Sequence, residues 1–313
     1  MNLSLIDIFY SISPVFVLIV LGNLLRRNGI PSDSFWGLND KLVYWILMPS
    51  LLFNQLSQTN FTPNIFTNYT MVILSGFIVV ILLSIIISKL FGYTTDVSSS
   101  IMQGAARHNG FVALAIVSSL FGAEAIALGV IIMAILIPVA NIVIVAIMVT
   151  QLQDKKTRKS KSVLIDIFID LAKNPILVSV LIGLVFSLME MRNIPIIHKT
   201  TNLLGSAALP IMLLSVGANI KLKQLKVKII PAIISIILKL AIFPFVVYLV
   251  ANYLRLSQLE VVVAVIFASV PTAVSSFALA RQLGGETKLM ARIISIQVAL
   301  SFITIPLILV LIV

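Results

Sequence analysis

The chain has 313 residues, of which 60% are apolar and only 11% are charged, and its mean hydropathy is +1.14. A soluble domain carries about 25% charged residues, so this composition excludes an ordinary water-soluble protein. The formal net charge of +11 at pH 7 could suggest nucleic-acid binding, but the placement of the charges argues against it. The absence of cysteine excludes disulfides and thiolate metal sites.

Long apolar runs recur along the chain, and each is long enough to cross a roughly 30 Å hydrocarbon core. Residues 1–7 contain no basic residue, so we do not interpret the first run as a cleavable signal peptide. We therefore predict an all-α integral membrane protein with ten transmembrane helices, near residues 7–25, 36–56, 69–90, 98–120, 124–150, 165–189, 199–219, 229–253, 259–280 and 288–312.

Basic residues concentrate in every second loop of this arrangement. If the N-terminus is outside, the outer loops hold only Arg192, Lys199 and Arg255. The inner loops hold Arg26, Arg27, Lys89, Lys155, Lys156, Arg158, Lys159, Lys161, Lys221, Lys223, Lys226, Lys228, Arg281, Lys288 and Arg292. This positive-inside pattern predicts a multi-pass protein of the cell membrane with both termini outside. The basic run 154–161 is interpreted as a topology signal that touches anionic lipid, not as a nucleic-acid site.

The sequence also repeats itself. Pro14 and Pro175 are 161 residues apart, and so are Pro49 and Pro210. Residues 1–150 would form a first five-helix repeat, 151–162 a basic cytoplasmic linker, and 163–313 a second five-helix repeat. Because five is odd, the second repeat must enter the membrane from the opposite side, which makes the repeats inverted in topology.

Two predicted spans are interrupted near their middles, at matching places in the two halves. The fourth is broken at residues 107–110 (RHNG) and the ninth at residues 269–272 (SVPT). A helix broken inside lipid leaves backbone groups unpaired unless protein or a water-filled cavity surrounds the break. Matched breaks of this kind are the best sequence indication of a transporter's binding site.

The first break supplies three candidate substrate-binding residues, Arg107, Asn109 and Gly110. Gly110 accepts backbone angles that other residues resist, and Asn109 can replace lost helix bonds or hold a ligand. The half-helix that starts near Gly110 presents a positive dipole end to an anion. Arg107 could bind a carboxylate through its bidentate fork, or it could only cap the carbonyls of the preceding half-helix.

The second break supplies Pro271, Thr272 and Ser275 as further substrate-binding candidates. Pro271 suits the first position of a new half-helix, where its missing N–H costs nothing, and the two hydroxyls add polar groups. The alternative is that both breaks are kinks whose backbone groups are satisfied by neighbouring helices.

Proton or charge coupling has two candidates. His108 is the only group beside the break that titrates near neutral pH. Lys239 lies in the middle of the eighth span, where a lysine is rare; it could be a fixed counter-charge or could pair with a backbone carbonyl. Neither a cofactor motif nor a metal-ligand cluster is recognisable, so we expect no cofactor, no metal and no enzymatic activity.

The whole chain resembles the auxin efflux carrier family, in its prokaryotic permease branch (malate- or malonate-permease-like). The motifs that carry the resemblance are residues 22–29 (GNLLRRNG), 47–53 (LMPSLLF), 107–111 (RHNGF), 271–273 (PTA) and 280–285 (ARQLGG). The resemblance implies ten helices in two inverted repeats, with crossed, broken helices four and nine. It also implies a scaffold of helices one, two, six and seven, a mobile bundle of the rest, and a homodimer.

Plant members of that family carry Asn-Pro-Asn where this chain has His108-Asn109-Gly110. The resemblance therefore indicates a small organic anion, such as malate, malonate or an auxin-like acid, without choosing among them. We expect a secondary transporter that works by alternating access in the lipid bilayer. The alternatives are a sodium-coupled symporter of the bile-acid type, a channel, or a non-transporting membrane sensor.

Overall fold

The computed structural model describes residues 4–59, 63–152, 169, 172–191, 194–220 and 228–312, and all regular structure within them is helical. Of the predicted linker 151–162, only Gln151 and Leu152, at the end of a helix, belong to the described residues. Half of the basic residues on which the topology prediction depends, and the start of the sixth predicted span, lie outside the described ranges.

Within the described ranges, the first half of the chain forms six α-helices and a π-helical segment. They are α1 (Leu5–Arg27), α2 (Asp33–Leu42), the segment π1 (Val43–Leu47), α3 (Met48–Ser57), α4 (Pro63–Leu90), α5 (Thr95–Ala106) and α6 (Gly110–Leu152). Ser4 caps α1 by accepting a hydrogen bond from the Asp7 N–H, and Ser32 caps α2. Helix α6 is bent at Gly122, whose φ of 74° suits glycine, and continues as the apolar arm Ala125–Leu152.

The described residues of the second half form seven α-helices and a second π-helical segment. They are α7 (Pro175–Leu188), α8 (Pro195–Ala218), α9 (Ile229–Ile237), the segment π2 (Leu238–Ile242), α10 (Phe243–Tyr253), α11 (Gln258–Ser269), α12 (Ser275–Leu283) and α13 (Thr287–Ile312). Proline opens α7 and α8, where its missing N–H needs no partner.

Six helices among the described residues are long and apolar enough to cross a membrane. They are Leu5–Arg27, Asn64–Leu90, Ala125–Leu152, Pro195–Ala218, Ile229–Tyr253 and Thr287–Ile312. Of the other four predicted spans, the fourth and ninth are divided into shorter helices and the sixth is described only in part. The second forms α2, π1 and α3 without a gap, but it is not among the helices that are apolar enough to be counted. The fold is therefore that of a multi-pass helical membrane protein.

The helices pack as two bundles. In the first, which we call the scaffold bundle, α1 lies along α8, and α3 contacts both α7 and α8. The backbones touch directly: a Cβ on Gly22 would collide with the Leu214 carbonyl, and one on Gly217 would collide with the Ile19 carbonyl. The second, which we call the crossover bundle, contains α4, α5, α6 and α9–α13.

A cavity candidate for substrate binding

The two predicted breaks are both present, and the backbone leaves the two half-helices in the same way. Helix α5 ends before Arg107, which has φ −74° and ψ 151°. Helix α11 ends before Val270, which has φ −69° and ψ 154°. The chain resumes helical structure at Gly110 and at Ser275. Two new helix N-termini therefore lie inside the crossover bundle, each with backbone N–H groups that need partners.

A backbone hydrogen bond joins the two breaks. The Asn109 N–H donates to the Pro271 carbonyl over 2.8 Å. The Asn109 side chain also accepts a hydrogen bond from the Val112 N–H at 3.3 Å, so it is the N-cap of α6. Pro271 has no N–H with which to return the bond. Asn109 therefore fixes both the start of α6 and the crossing point.

Two glutamines and Thr272 complete the interior of the crossing. The Gln297 side-chain oxygen accepts from the Thr272 N–H at 2.8 Å, and its amide nitrogen donates to the Gly104 carbonyl at 3.0 Å. The Thr272 hydroxyl donates to the Gln103 carbonyl at 3.2 Å. The two Gln297 bonds satisfy backbone groups that the breaks would leave unpaired. Sequence reasoning missed Gln103 and Gln297, although a glutamine inside an apolar span is a usable signal.

A cavity of about 740 Å³ lies between the crossing and the scaffold bundle. Of the sequence-predicted residues, Arg107, His108, Gly110 and Ser275 line it. The Arg107 guanidinium donates to the Ser275 hydroxyl at 3.4 Å, so the cavity wall brings together one side chain from each break. A cavity of this size is within the range of small-molecule sites.

The other three substrate-binding candidates lie behind this wall. Asn109 and Thr272 are only 3% and 0% exposed, Pro271 is buried, and none of the three is among the described residues that line the cavity. Gly110 does line the cavity, but the reason why a glycine is needed there is not the unusual backbone angle expected from the sequence. Its φ is not positive; instead, a Cβ there would lie 3.0 Å from the Met133 side chain.

Of the two coupling candidates, His108 lines the cavity, whereas Lys239 is not among the described residues that line it and lies inside the crossover bundle. Lys239 is 0% exposed and belongs to π2, and its Nζ lies 4.4 Å from the centre of the Phe243 ring. No described residue accepts a hydrogen bond from this Nζ, so the expected pairing with a backbone carbonyl is not seen. His108 is 8% exposed, and its ring centre lies 6.1 Å from that of Phe267. Single π-helical turns often mark functional positions.

The mouth of the cavity carries a polar network that sequence reasoning did not identify. Arg26 donates to the Asn219 side-chain oxygen at 2.9 Å, and Asn219 donates to the Asp40 carboxylate at 3.2 Å. Arg26 also forms an ion pair with Asp33 at 3.1 Å. These residues end or begin different helices, so only the fold brings them together. Among the described residues, no three His, Cys, Asp or Glu side chains converge as metal ligands would.

The architecture and the cavity define a class: a multi-pass helical membrane protein with an internal, partly polar chamber beside two interrupted helices. Comparison with known proteins gives the family. A family model described as "Membrane transport protein" matches residues 7–309. An uncharacterised transporter from Methanocaldococcus jannaschii is 25% identical over 301 residues, which cover 94% of this chain and 95% of the archaeal protein. The chain therefore belongs to the membrane transport protein family, which is the family of the auxin efflux carriers, and the resemblance seen in its motifs is confirmed.

Proposed function

We propose that this transporter moves small organic anions, such as malate, malonate or auxin-like monocarboxylates, through the cavity beside the crossing. The observation that carries the proposal is the position of Arg107. Its guanidinium lies on the cavity wall, next to Ser275 and close to the start of α6. A fixed cation in a largely apolar chamber selects a negatively charged ligand.

The helix termini add to this selection. The N-terminal residues of α6 and α12, Gly110 and Ser275, both line the cavity. The N-terminus of a helix carries a partial positive charge and free N–H groups, so two such ends favour an anion more than one does. A carboxylate there would accept two parallel hydrogen bonds from the guanidinium, which a lysine could not supply. Asn109, Pro271 and Thr272 would hold this arrangement rather than touch the anion.

We propose a ten-helix architecture of two inverted repeats, residues 1–150 and 163–313, for the membrane-spanning part. A pair of glycine contacts supports it. Gly22 packs against the Leu214 carbonyl, and Gly183 packs against the Phe53 backbone. Both glycines and both partners are related by the same offset of 161 residues. Such paired contacts follow if a twofold axis relates the two halves.

Alternating access would come from movement of the crossover bundle against the scaffold bundle. The cavity mouth carries Arg26 and Lys41, which the charge pattern assigns to the cytoplasmic side. The structure would then be an inward-open state, with both termini outside the cell membrane. His108, on the cavity wall, and Lys239, in the interior of the bundle, would respond to the bound anion as a proton carrier or a fixed charge. A homodimer, with the scaffold bundles in contact through lipid-facing surface, completes the proposal.

The test is uptake of radiolabelled malate, malonate and indole-3-acetate by proteoliposomes that contain the purified protein. We expect saturable uptake that accelerates when unlabelled anion is preloaded on the opposite side, and no dependence on sodium. Single-channel current with the same anions would contradict a carrier. Loss of uptake when potassium replaces sodium would favour the bile-acid type of symporter instead.

Topology is tested separately, because the natural chain contains no cysteine. The single variants Ser34→Cys and Ser257→Cys place one exposed thiol on each of the two sides of the membrane that the proposed topology defines. A membrane-impermeant maleimide should reach Ser257→Cys from outside and Ser34→Cys only after the membrane is opened. Labelling of both from one side would contradict the inverted repeat.

A further inference from the structure

A second cavity lies at the other end of the interface between the bundles. It has a volume of about 360 Å³, about half that of the first, and lies between α1, α3 and α8 of the scaffold bundle and the first arm of α6. Its polar lining includes Gln55, Ser118, Ser119 and Asn202. We call it the outer cavity, and the cavity beside Arg107 the inner cavity. The family assignment gives no role to the outer cavity.

The scaffold walls of the two cavities are repeat-related. Five residues that line the outer cavity lie 161 positions from five residues that line the inner cavity, in both directions along the chain. The pairs, with the inner residue first, are Lys41 and Asn202, Tyr44 and Gly205, Ile176 and Val15, Met212 and Leu51, and Val216 and Gln55. The same offset of 161 residues therefore relates both the glycine contacts of the scaffold bundle and the walls of the two cavities.

The crossover bundle contributes a related pair as well. Phe277 of α12 lines the inner cavity, and Ala115 of α6, which is 162 positions earlier, lines the outer one. The same offset separates Asn109 from Pro271, the two residues whose backbones meet at the crossing. The two chambers thus lie on opposite sides of one crossing point, each against the arm that follows a break.

Direct contacts hold the outer end closed. The Ser119 hydroxyl, on the rim of the outer cavity, donates to the Ser11 carbonyl of α1. Phe9 and Phe16, also on α1, contact the Phe302 ring edge-to-face. Their ring centres lie 5.1 Å and 4.9 Å, respectively, from that of Phe302. These contacts join α1 of the scaffold bundle to α6 and α13 of the crossover bundle, so the outer cavity cannot widen until they separate.

We infer that the outer cavity is the contracted outer entrance for the same organic anion, and that Ser11 and Ser119 form the contact that opens when the crossing faces outward. This inference rests on the proposed function. The two entrances differ in charge. The inner wall carries three cations, Arg26, Lys41 and Arg107, beside one carboxylate, Asp40, whereas the polar residues of the outer wall are neutral amides and hydroxyls. An anion entering from outside would meet hydrogen-bond donors but no cation until it reaches Arg107.

A reversible cross-link tests the closing contact. In the variant Ser11→Cys/Ser119→Cys, a short bifunctional thiosulfonate should abolish uptake, and a reducing agent should restore it. Thermal stabilisation of the cross-linked protein by malonate in detergent should persist, because the inner cavity stays open. The matched control is Ser11→Cys alone, which has no second thiol to bridge and should keep its uptake after the same treatment. Unchanged uptake by the cross-linked double variant would overturn the inference.

A second measurement needs no substrate, so it separates this inference from the proposed function. We expect an impermeant thiol reagent to modify Gln55→Cys from outside and its repeat partner Val216→Cys from inside. Modification of Gln55→Cys only from inside, or not at all, would overturn the inference. Modification from the expected sides together with failed uptake of every carboxylate would count against the anion function alone.

The charge difference gives a third measurement. Asn202→Lys places a cation where the inner entrance has Lys41, so it should lower the KM for external malonate several-fold at low ionic strength. Added salt should remove the gain, because exposed charges are screened over roughly 10 Å at 0.1 M. The matched variant Lys41→Asn removes the cation of the inner entrance and should raise the internal KM at low ionic strength. An external KM unaffected by Asn202→Lys would overturn the assignment of an outer entrance.

Discussion

The two breaks share a backbone path but not a chemistry. Arg107 and Val270 leave their half-helices with nearly the same dihedral angles. The first break then places an arginine and a histidine against the inner cavity, whereas the second is held by the hydrogen bonds of Thr272 and contributes only the exposed Ser275 hydroxyl. The two breaks thus have the same backbone geometry but different roles in the proposed function: the first would bind the ligand, and the second would support the first.

The largest effect is expected at Arg107, where this comparison is sharpest. Arg107→Gln removes the cation from the cavity wall, and a lost hydrogen bond to a charged group costs about 1.5–3 kcal/mol, or about 10- to 100-fold in affinity. The affinity of Arg107→Lys for malonate should lie between those of the natural protein and Arg107→Gln, because lysine keeps the charge but loses the planar, bidentate guanidinium. Calorimetric Kd values for malonate, measured beside melting temperatures, check the order. Equal Kd values for all three proteins would refute a ligand role.

Asn109 should affect stability more than affinity, since it caps α6 and lies behind the wall. Asn109→Ala removes the side-chain acceptor of the Val112 N–H, which typically costs about 0.5–2 kcal/mol. We therefore expect a lower melting temperature with the Kd for malonate little changed. Asn109→Ser keeps a capping oxygen and is the matched control. A large loss of affinity in Asn109→Ala at an unchanged melting temperature would place Asn109 in the binding site instead.

Thr272 tests the supporting role of the second break. Thr272→Val keeps the shape but removes the hydroxyl that donates to the Gln103 carbonyl. That carbonyl also accepts from the Arg107 N–H at 3.0 Å, so it stays paired, and the cost should be about 1 kcal/mol. The melting temperature should fall slightly in Thr272→Val and not in Thr272→Ser. If malonate affinity fell in parallel, the second break would contribute to binding.

Ser275 should show the smallest effect. Its hydroxyl is exposed, and its bond from Arg107 is long, at 3.4 Å. Ser275→Ala should change the Kd for malonate by less than about threefold, equivalent to less than about 0.7 kcal/mol. A loss as large as that of Arg107→Gln would show that the two breaks share the ligand equally.

Much of the class could be read from sequence, because a bilayer imposes strong local rules. Apolar length identifies membrane helices regardless of their neighbours. The breaks at residues 107–110 and 269–272 were predictable because a proline, a glycine and polar residues inside apolar runs leave few other structures possible. The motifs then led to the correct family, and the family model confirms it.

The direction of each side chain at the breaks was not predictable. Asn109 and Arg107 are two positions apart, and both have polar side chains. Asn109 nevertheless caps α6 in the interior, whereas Arg107 lines the cavity. Which of them meets a ligand depends on how α6 packs against α11 and α12. Gly110 shows the same limit, because its constraint comes from Met133, which is distant in sequence.

The sequence by itself determined that this is a polytopic helical membrane protein, that its fourth and ninth spans are interrupted, and that a cation stands at the first interruption. These features depend on local composition, because each residue contributes separately to the free energy of placing a segment in the bilayer. Only the tertiary structure decided that Arg107 and Ser275 share a cavity wall, that Gln297 pairs with the Thr272 backbone, and that Arg26, Asn219 and Asp40 meet at the mouth. Those contacts join residues far apart in the chain, so their formation depends on how whole helices cross.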